Sequence, residues 1–170
     1  MKVLFFGGTR FVGKALVSNL LLKGHEIFVF TRGNLPVPKN ITHLKGDRSN
    51  DEDLKQLSDH SFDLIVDSSG RKLEDTQRLL KFSGLPGFRF IYISSAGVYE
   101  NTQLFPVSEK SSIDAQSRHI GKAKTEFWLK AEGIPFTSFR PTYIYGPGNY
   151  NPIEKWFFDR ITKCQYIPVP

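Results

Sequence analysis

A short apolar run, Val3–Phe6, stops at Gly7-Gly8-Thr9-Arg10-Phe11-Val12-Gly13 and gives way to a segment of helical spacing. That handover constrains the fold more than any other feature of the chain. Val12, Leu16 and Leu20, flanked by Ala15, Val17 and Leu21, lay an apolar stripe along one helical face, and Gly24 ends it. Glu26–Thr31 (EIFVFT) then reads as a strand. Strand, glycine loop, helix and strand together make a βαβ unit.

The alternation continues. Ile41–Leu44 is a weak strand running into Gly46-Asp47, and Asn50–Leu57 a short helix capped by Ser49 or Asn50. Asp63–Asp67 is a strand, Lys72–Phe82 a helix ending near Gly84, and Phe88–Ser94 a strand rich in β-formers. Ala96–Ala115 has no clean period and reads as a long surface loop. Gln116–Glu132 is a long helix closed by Gly133, and Pro135–Ile144 contains another strand on which Tyr143 and Tyr145 alternate. Asn151, as cap, and Pro152 open a further helix to about Lys163, with Trp156, Phe157 and Ile161 spaced as core residues. Gln165–Pro170 is extended: a final strand, or the point where a longer protein is cut. Strands alternating with helices predict an α/β fold, a doubly wound parallel sheet of Rossmann type, with residues 1–170 as one domain.

Charge and composition narrow the partners. Lys and Arg number 23 against 17 Asp and Glu, a net charge of +6, which suits a polyanion as well as it suits an ordinary basic surface. Cys164 is the only cysteine, so no internal disulfide forms, and a reducing compartment fits. No apolar run approaches the roughly 20 residues that span a bilayer, so no membrane association is expected. His25, His43, His60 and His119 are scattered without paired ligand spacing, so no metal site is expected.

A phosphate-cradling loop needs a sharp turn after the strand, close backbone approach to the pyrophosphate, and tight helix packing. Gly7 and Gly13 stand at the outer positions of a G-x-x-G-x-x-G pattern, and Arg10 takes the place of the middle glycine. Either Arg10 crowds out the pyrophosphate, or its guanidinium turns outward and Gly8 supplies the close approach. The βαβ context favours retained binding. At the end of the second strand, Arg32 stands where NAD-preferring sites carry an acid, so NADP is expected over NAD. Asp47 is either an acceptor for the adenine amino group or a helix cap.

GGTRFVG, FIYISSAGVY (90–99) and FRPTYIYGP (139–147), in this order, resemble the extended short-chain dehydrogenase/reductases, the superfamily of NAD-dependent epimerases and dehydratases. The resemblance implies cofactor contacts from Gly7, Gly8, Thr9, Arg10, Phe11, Gly13, Arg32, Asp47, Ser94, Lys122 and Pro141, and catalytic roles for Ser95 and Lys122. Such enzymes use Tyr-x-x-x-Lys, the tyrosine shuttling the proton. Here Lys122 fits the lysine, but Arg118 occupies the tyrosine position and stays protonated. His119 is adjacent, yet one helical step places it about 100° off the site. The usual hydride-transfer cycle is therefore expected to be lost or severely impaired.

GGTRFVG, SRHIGKAKTE, RPTYIYGPGNYNP and IEKWFFDR together resemble more narrowly the chloroplast stem-loop-binding proteins and their cyanobacterial relatives. That resemblance implies RNA binding, with endoribonuclease activity in some members. It also implies a plastid stroma or bacterial cytosol, possible oligomers, and a further C-terminal substrate portion that this chain lacks. Arg118, Lys122, Lys124 and Arg140 are the nucleic-acid candidates. Two other readings stand beside it. One is a working nucleotide-sugar epimerase or dehydratase using Ser95 and Lys122, and the other is a scaffold that binds neither ligand well.

Overall fold

The computed structural model describes residues 1–102 and 105–168. Among these, β1 (Lys2–Phe6), β2 (Glu26–Thr31), β3 (Thr42–Lys45), β4 (Leu64–Asp67), β5 (Arg89–Ile93) and β6 (Phe136–Phe139) form one sheet in the order β3-β2-β1-β4-β5-β6. Every pairing is parallel. The connection from β3 to β4 crosses over β1 and reverses the direction of sheet growth. A crevice opens at that switch, beyond the carboxyl ends of β1 and β4.

The central strands are apolar on both faces because both faces are covered. Leu4 and Phe6 of β1 join Phe28, Phe30, Leu79, Phe90 and Leu129 in one core layer. Val3 and Phe5 point the other way, into a layer with Val17, Ile27, Val29 and Val66. Helices α3 (Leu73–Ser83) and α4 (Ile120–Ala131) serve the first layer, and α1 (Phe11–Leu22) the second. The doubly wound sheet is thus as expected. No helix among the described residues is long and apolar enough to cross a membrane.

Boundaries differ where tertiary contacts override local pattern. The expected Asn50–Leu57 helix is α2 (Asp51–Leu54), continued by a 3₁₀ turn over Lys55–Asp59. Asn50 is its cap, accepting the Glu52 N–H at 3.0 Å. Helix α4 starts at Ile120, later than expected, because residues 117–119 are a turn. The 96–115 segment contains a 3₁₀ turn, Ala96–Val98, and an antiparallel bridge between Tyr99 and Ile113. Tyr143 and Tyr145 lie past the end of β6 and are exposed. Helix α5 (Ile153–Thr162) has Pro152 rather than Asn151 at its cap and buries no residue. Trp156, Phe157 and Ile161, expected in the core, are exposed, since helical spacing reports a stripe but not what covers it. Residues 165–168 carry no strand, and 169–170 lie outside the described residues.

Two contacts set the crevice. Gly13 of α1 lies against the β1–α1 loop so closely that a Cβ there would sit 2.8 Å from Gly8 Cα and N. The second is a buried ion pair. Arg48, after β3, donates from Nη1 to Asp67 Oδ1 at 2.9 Å and from Nη2 to Oδ2 at 2.8 Å. Asp67 ends β4 and its side chain is fully buried. Its Oδ1 also accepts the N–H groups of Ser69 at 3.0 Å and Gly70 at 2.8 Å. Burial alone would raise the Asp67 carboxyl, but the Arg48 guanidinium and these N–H donors outweigh it and hold it below the usual range. The guanidinium crosses 5.2 Å over the Phe6 ring, so the pair bridges β3 and β4 across the end of β1.

Gly13→Ala is expected to destabilise the chain by about 1–3 kcal/mol through overpacking, read as a lower urea midpoint at unchanged slope. Arg48→Met leaves a buried carboxylate unpaired and is expected to cost about 3–5 kcal/mol at neutral pH. Asp67 contributes stability above the unfolded carboxylate value and loses it as pH falls through its lower folded value. The gap between wild type and Arg48→Met should therefore be widest near neutrality and shrink in acid, as urea melts at several pH values will show.

Candidate functional site

The crevice is a cleft of about 770 Å³. Its floor is the loop from Gly7 to Gly13. Gly7 and Gly8 have φ of +98° and +88°, which only glycine adopts without strain, so the chain turns sharply as β1 ends. Arg10 is extended (φ −131°, ψ 149°) and exposed. Its guanidinium lies 5.8 Å over the Tyr150 ring, above the loop rather than in it. Gly8 is packed against Gly13 at the start of α1. Phe11, the first residue of α1, has φ +39°, an outlier for a bulky side chain. No side chain caps α1 and no acid stands in its first turn. Its leading N–H groups therefore point at the cleft without a side-chain acceptor, an arrangement that suits an anion.

At one end of the cleft lie Arg32, Asn34, Asp47 and Ser49. Asp47 Oδ1 accepts the Ser49 N–H at 2.9 Å and the Ser49 hydroxyl at 2.6 Å. Those bonds hold its carboxyl below the usual range, against a small opposing effect of burial, with Arg32 and Arg48 adding to the lowering. Asp47 does not cap α2; Asn50 does. Arg10, Arg32, Arg48 and Arg71 all line the cleft, and Asp47 is the one acidic group among the lining residues.

The other end adjoins β5, where Ser68, Ser69, Arg71, Ile93, Ile144 and Tyr150 line the wall. Ser94, Ser95, Lys122 and Pro141 are not among the lining residues. Lys122 Nζ donates to Ile93 O at 2.5 Å and sits 5.2 Å over the Tyr92 ring. Burial pulls its ammonium below the usual lysine range; Asp67 opposes this, and Arg71 and Arg48 add to it. The Ser94 hydroxyl is buried with no partner in the protein. Ser95 Oγ accepts the Gly97 N–H at 3.1 Å, and Pro141 O accepts the Ala96 N–H at 2.8 Å.

Two of the phenols nearby, Tyr92 and Tyr99, are committed elsewhere, and Tyr143 and Tyr150 are exposed. Tyr92 donates to Gly70 O at 3.1 Å, and burial pushes its hydroxyl well above the usual tyrosine value. Tyr99 OH accepts from Arg140 Nη1 at 2.8 Å, and Tyr143 is 83% exposed.

Of the four cations expected on a nucleic-acid face, two are turned inward. Arg140 is bound to Glu126 through Nε (3.2 and 3.0 Å) and Nη2 (2.5 Å), besides Tyr99. Lys122 is held at Ile93. Arg118 and Lys124 are exposed. Arg118 belongs to the turn before α4, not to the helix, so it does not share a helical face with Lys122.

The same turn overturns the expectation that His119 points away from the site. A helical-wheel rotation does not apply to residues outside a helix. His119 packs on Gly97 beside Ser95, and its Nε2 accepts from Arg118 Nε at 3.0 Å. Burial, then Arg118, Lys122 and Arg71, lower its pKa below the ordinary histidine value. Sequence reading also missed Arg48, Arg71, Ser68 and Ser69. The glycine after Ser68-Ser69 was the one available signal, and loop residues carry no period to betray a site. No cluster of His, Cys, Asp and Glu that would hold a metal lies among the described residues.

Comparison with known proteins adds the family. Residues 3–165 match the model of the NAD dependent epimerase/dehydratase family. The chain is similar to the chloroplast stem-loop binding protein of 41 kDa b of Arabidopsis thaliana, 42% identical over 186 residues, covering 99% of this chain and 49% of that protein. It spans about half the length of the curated relatives it matches. Among solved structures it is similar to a UDP-glucose 4-epimerase of Thermotoga maritima with UDP-glucose. There the TM-score is 0.80 at 21% identity, over 99% of this chain and 65% of that one. The Bordetella bronchiseptica enzyme WbmH in complex with NAD+ gives a TM-score of 0.74 at 22% identity, over 96% and 63%. Sheet order, glycine loop and family match agree: the chain belongs to the NAD dependent epimerase/dehydratase family.

Proposed function

We propose that the chain binds a nicotinamide dinucleotide in the cleft, NADP in preference to NAD. One observation carries the reading: a glycine turn and the uncapped start of α1 face a cleft lined by Arg10, Arg32, Arg48 and Arg71 with a single acid. The residues fit the group. Gly7 and Gly8 give the turn, and the space beside Gly13 is already filled by Gly8 backbone, so helix and strand stay close. Gly7, Gly8, Thr9, Phe11 and Gly13 would hold the pyrophosphate by backbone, with Arg10 above it. Arg32 would pair with the ribose 2′-phosphate, and Asp47 would accept from the adenine amino group. Ser94, Pro141 and Lys122 would hold the nicotinamide end. When bound, the dinucleotide supplies a two-electron hydride acceptor or donor. Arg118 stands where the family's tyrosine would, so a phenol at that position does not move the proton.

RNA binding is the second reading, and the exposed groups favour it. Arg118 and Lys124 are exposed cations, and Tyr143, Tyr145 and Tyr150 are exposed rings able to stack on bases. The similar Arabidopsis protein is named for stem-loop binding. Arg140 takes no part in this reading.

Fluorescence titration with NADPH and NADH tests the first reading. Native protein should bind NADPH more tightly, and Arg32→Glu should weaken NADPH by at least about tenfold, roughly 1.4 kcal/mol, while changing NADH little. Tighter NADH binding by native protein would reverse the assignment. Filter retention of a stem-loop RNA across salt tests the second. Retention should fall steeply with salt, and Arg118→Glu with Lys124→Glu should flatten that slope by about two phosphate contacts.

A further inference from the structure

His119 and Ser95 meet over an exposed glycine. A Cβ built on Gly97 would lie 2.6 Å from His119 Cδ2, 3.1 Å from His119 Nε2 and 3.3 Å from Ser95 Oγ, so glycine is what lets the imidazole pack this close. Both polar atoms therefore lie beside the same exposed stretch of backbone. We propose that His119 is the proton-carrying catalytic residue of this site, acting on a secondary alcohol whose oxygen is held between its Nε2 and the Ser95 hydroxyl. The proposal rests on the dinucleotide reading above.

The backbone that carries the imidazole is anchored. The His119 backbone N–H donates to Ser117 Oγ at 3.0 Å, and the Ser117 hydroxyl donates to Gly97 O at 2.5 Å. These bonds tie the histidine to the same 3₁₀ turn that Ser95 caps. Arg118 Nε is always a donor, so Nε2 carries the lone pair and the ring proton sits on Nδ1. A substrate hydroxyl replaces Arg118 at Nε2. The charged groups facing the ring are Arg118 from its own turn, Lys122 from α4 and Arg71 from the loop after β4. Burial, and then all three cations, disfavour the imidazolium, and a substrate bearing phosphate is favoured nearby. In the oxidising direction the O–H bond breaks and its proton passes to Nε2. The carbon–hydrogen bond breaks with both electrons going to the oxidised dinucleotide, and the C–O bond becomes a carbonyl. The reverse direction returns the proton from His119 to the oxygen.

Two readouts on the full chain test this, with NADP+ and UDP-glucose as probes. The first is NMR of wild-type protein labelled in its histidine rings. The His119 signal should titrate below the ordinary histidine value of about 6.5 and should shift when UDP-glucose is added to protein holding NADP+. The second is formation of reduced dinucleotide by absorbance. Its rate should fall as pH drops through the same midpoint, because only the neutral ring accepts the proton. His119→Asn should slow it by about 10²–10⁴-fold while NADPH affinity, measured on the same samples, stays within about threefold. No reduction by wild type, a rate that survives His119→Asn, or a His119 signal unmoved by the probe would each overturn the proposal. If NADPH still binds in those cases, only the histidine assignment fails; if it does not, the dinucleotide reading fails with it. The wild-type titration stands even if the variant does not fold.

Discussion

The cleft depends on how closely α1 approaches β1. Gly13 meets Gly8 backbone at a distance that no Cβ tolerates, and the helix start is thereby fixed over the end of the central strand. Once that contact is made, the loop between has little freedom. Residue 10 lies on the outer side of the turn, in extended conformation, where an arginine fits as readily as a glycine. The substitution that looks destructive in the sequence is therefore tolerated by the backbone. The strain falls one residue later, on Phe11, whose positive φ lets the helix begin immediately.

Charge is distributed by the same logic. The chain carries a net +6, but much of its cationic machinery is internal. Arg48 holds Asp67, Arg140 holds Glu126 and Tyr99, and Lys122 holds the Ile93 carbonyl. Each pair joins segments far apart in sequence, and each would be costly to break on one side only. Arg48 is not wholly satisfied, since its Nε is buried without a partner. What remains for a ligand is the outward set, Arg10, Arg32 and Arg71, around a cleft whose one lining acid is already hydrogen-bonded to Ser49.

Much of this was legible in the sequence because it rests on short-range rules. Parallel strands buried on both faces appear as continuous apolar runs, and VLFF, FVF and LIV do so. The glycine loop and Asn50 cap were readable for the same reason. The start of α4 was not. Ser117-Arg118-His119 has no breaker, so periodicity carries the helix through it and turns His119 off the site. The turn exists because Ser117 bonds to Gly97 O, a contact 20 residues distant in sequence. Arg48 and Arg140 were illegible likewise, since an arginine does not announce whether a buried carboxylate awaits it. Helix α5 shows the opposite limit: its apolar stripe is real, and none of its residues is buried.

Proton chemistry in such a site is limited by which groups still have a lone pair or proton to exchange. Tyr92 spends its hydroxyl on Gly70 O, deep under the sheet, and Tyr99 spends its oxygen on Arg140. Lys122 keeps its ammonium against a carbonyl, where it can orient and polarise. Arg118 cannot give up a proton at all. Beside these stand Ser95, which is a hydrogen-bonding group rather than a base, the exposed phenol of Tyr150 on the cleft wall, and His119, whose imidazole is an acid–base group by nature. A chain that has lost the phenol from the helix has therefore not lost every proton carrier. The arginine at the phenol's position sets a permanent donor beside the imidazole, and that donor selects the ring tautomer whose lone pair is on Nε2.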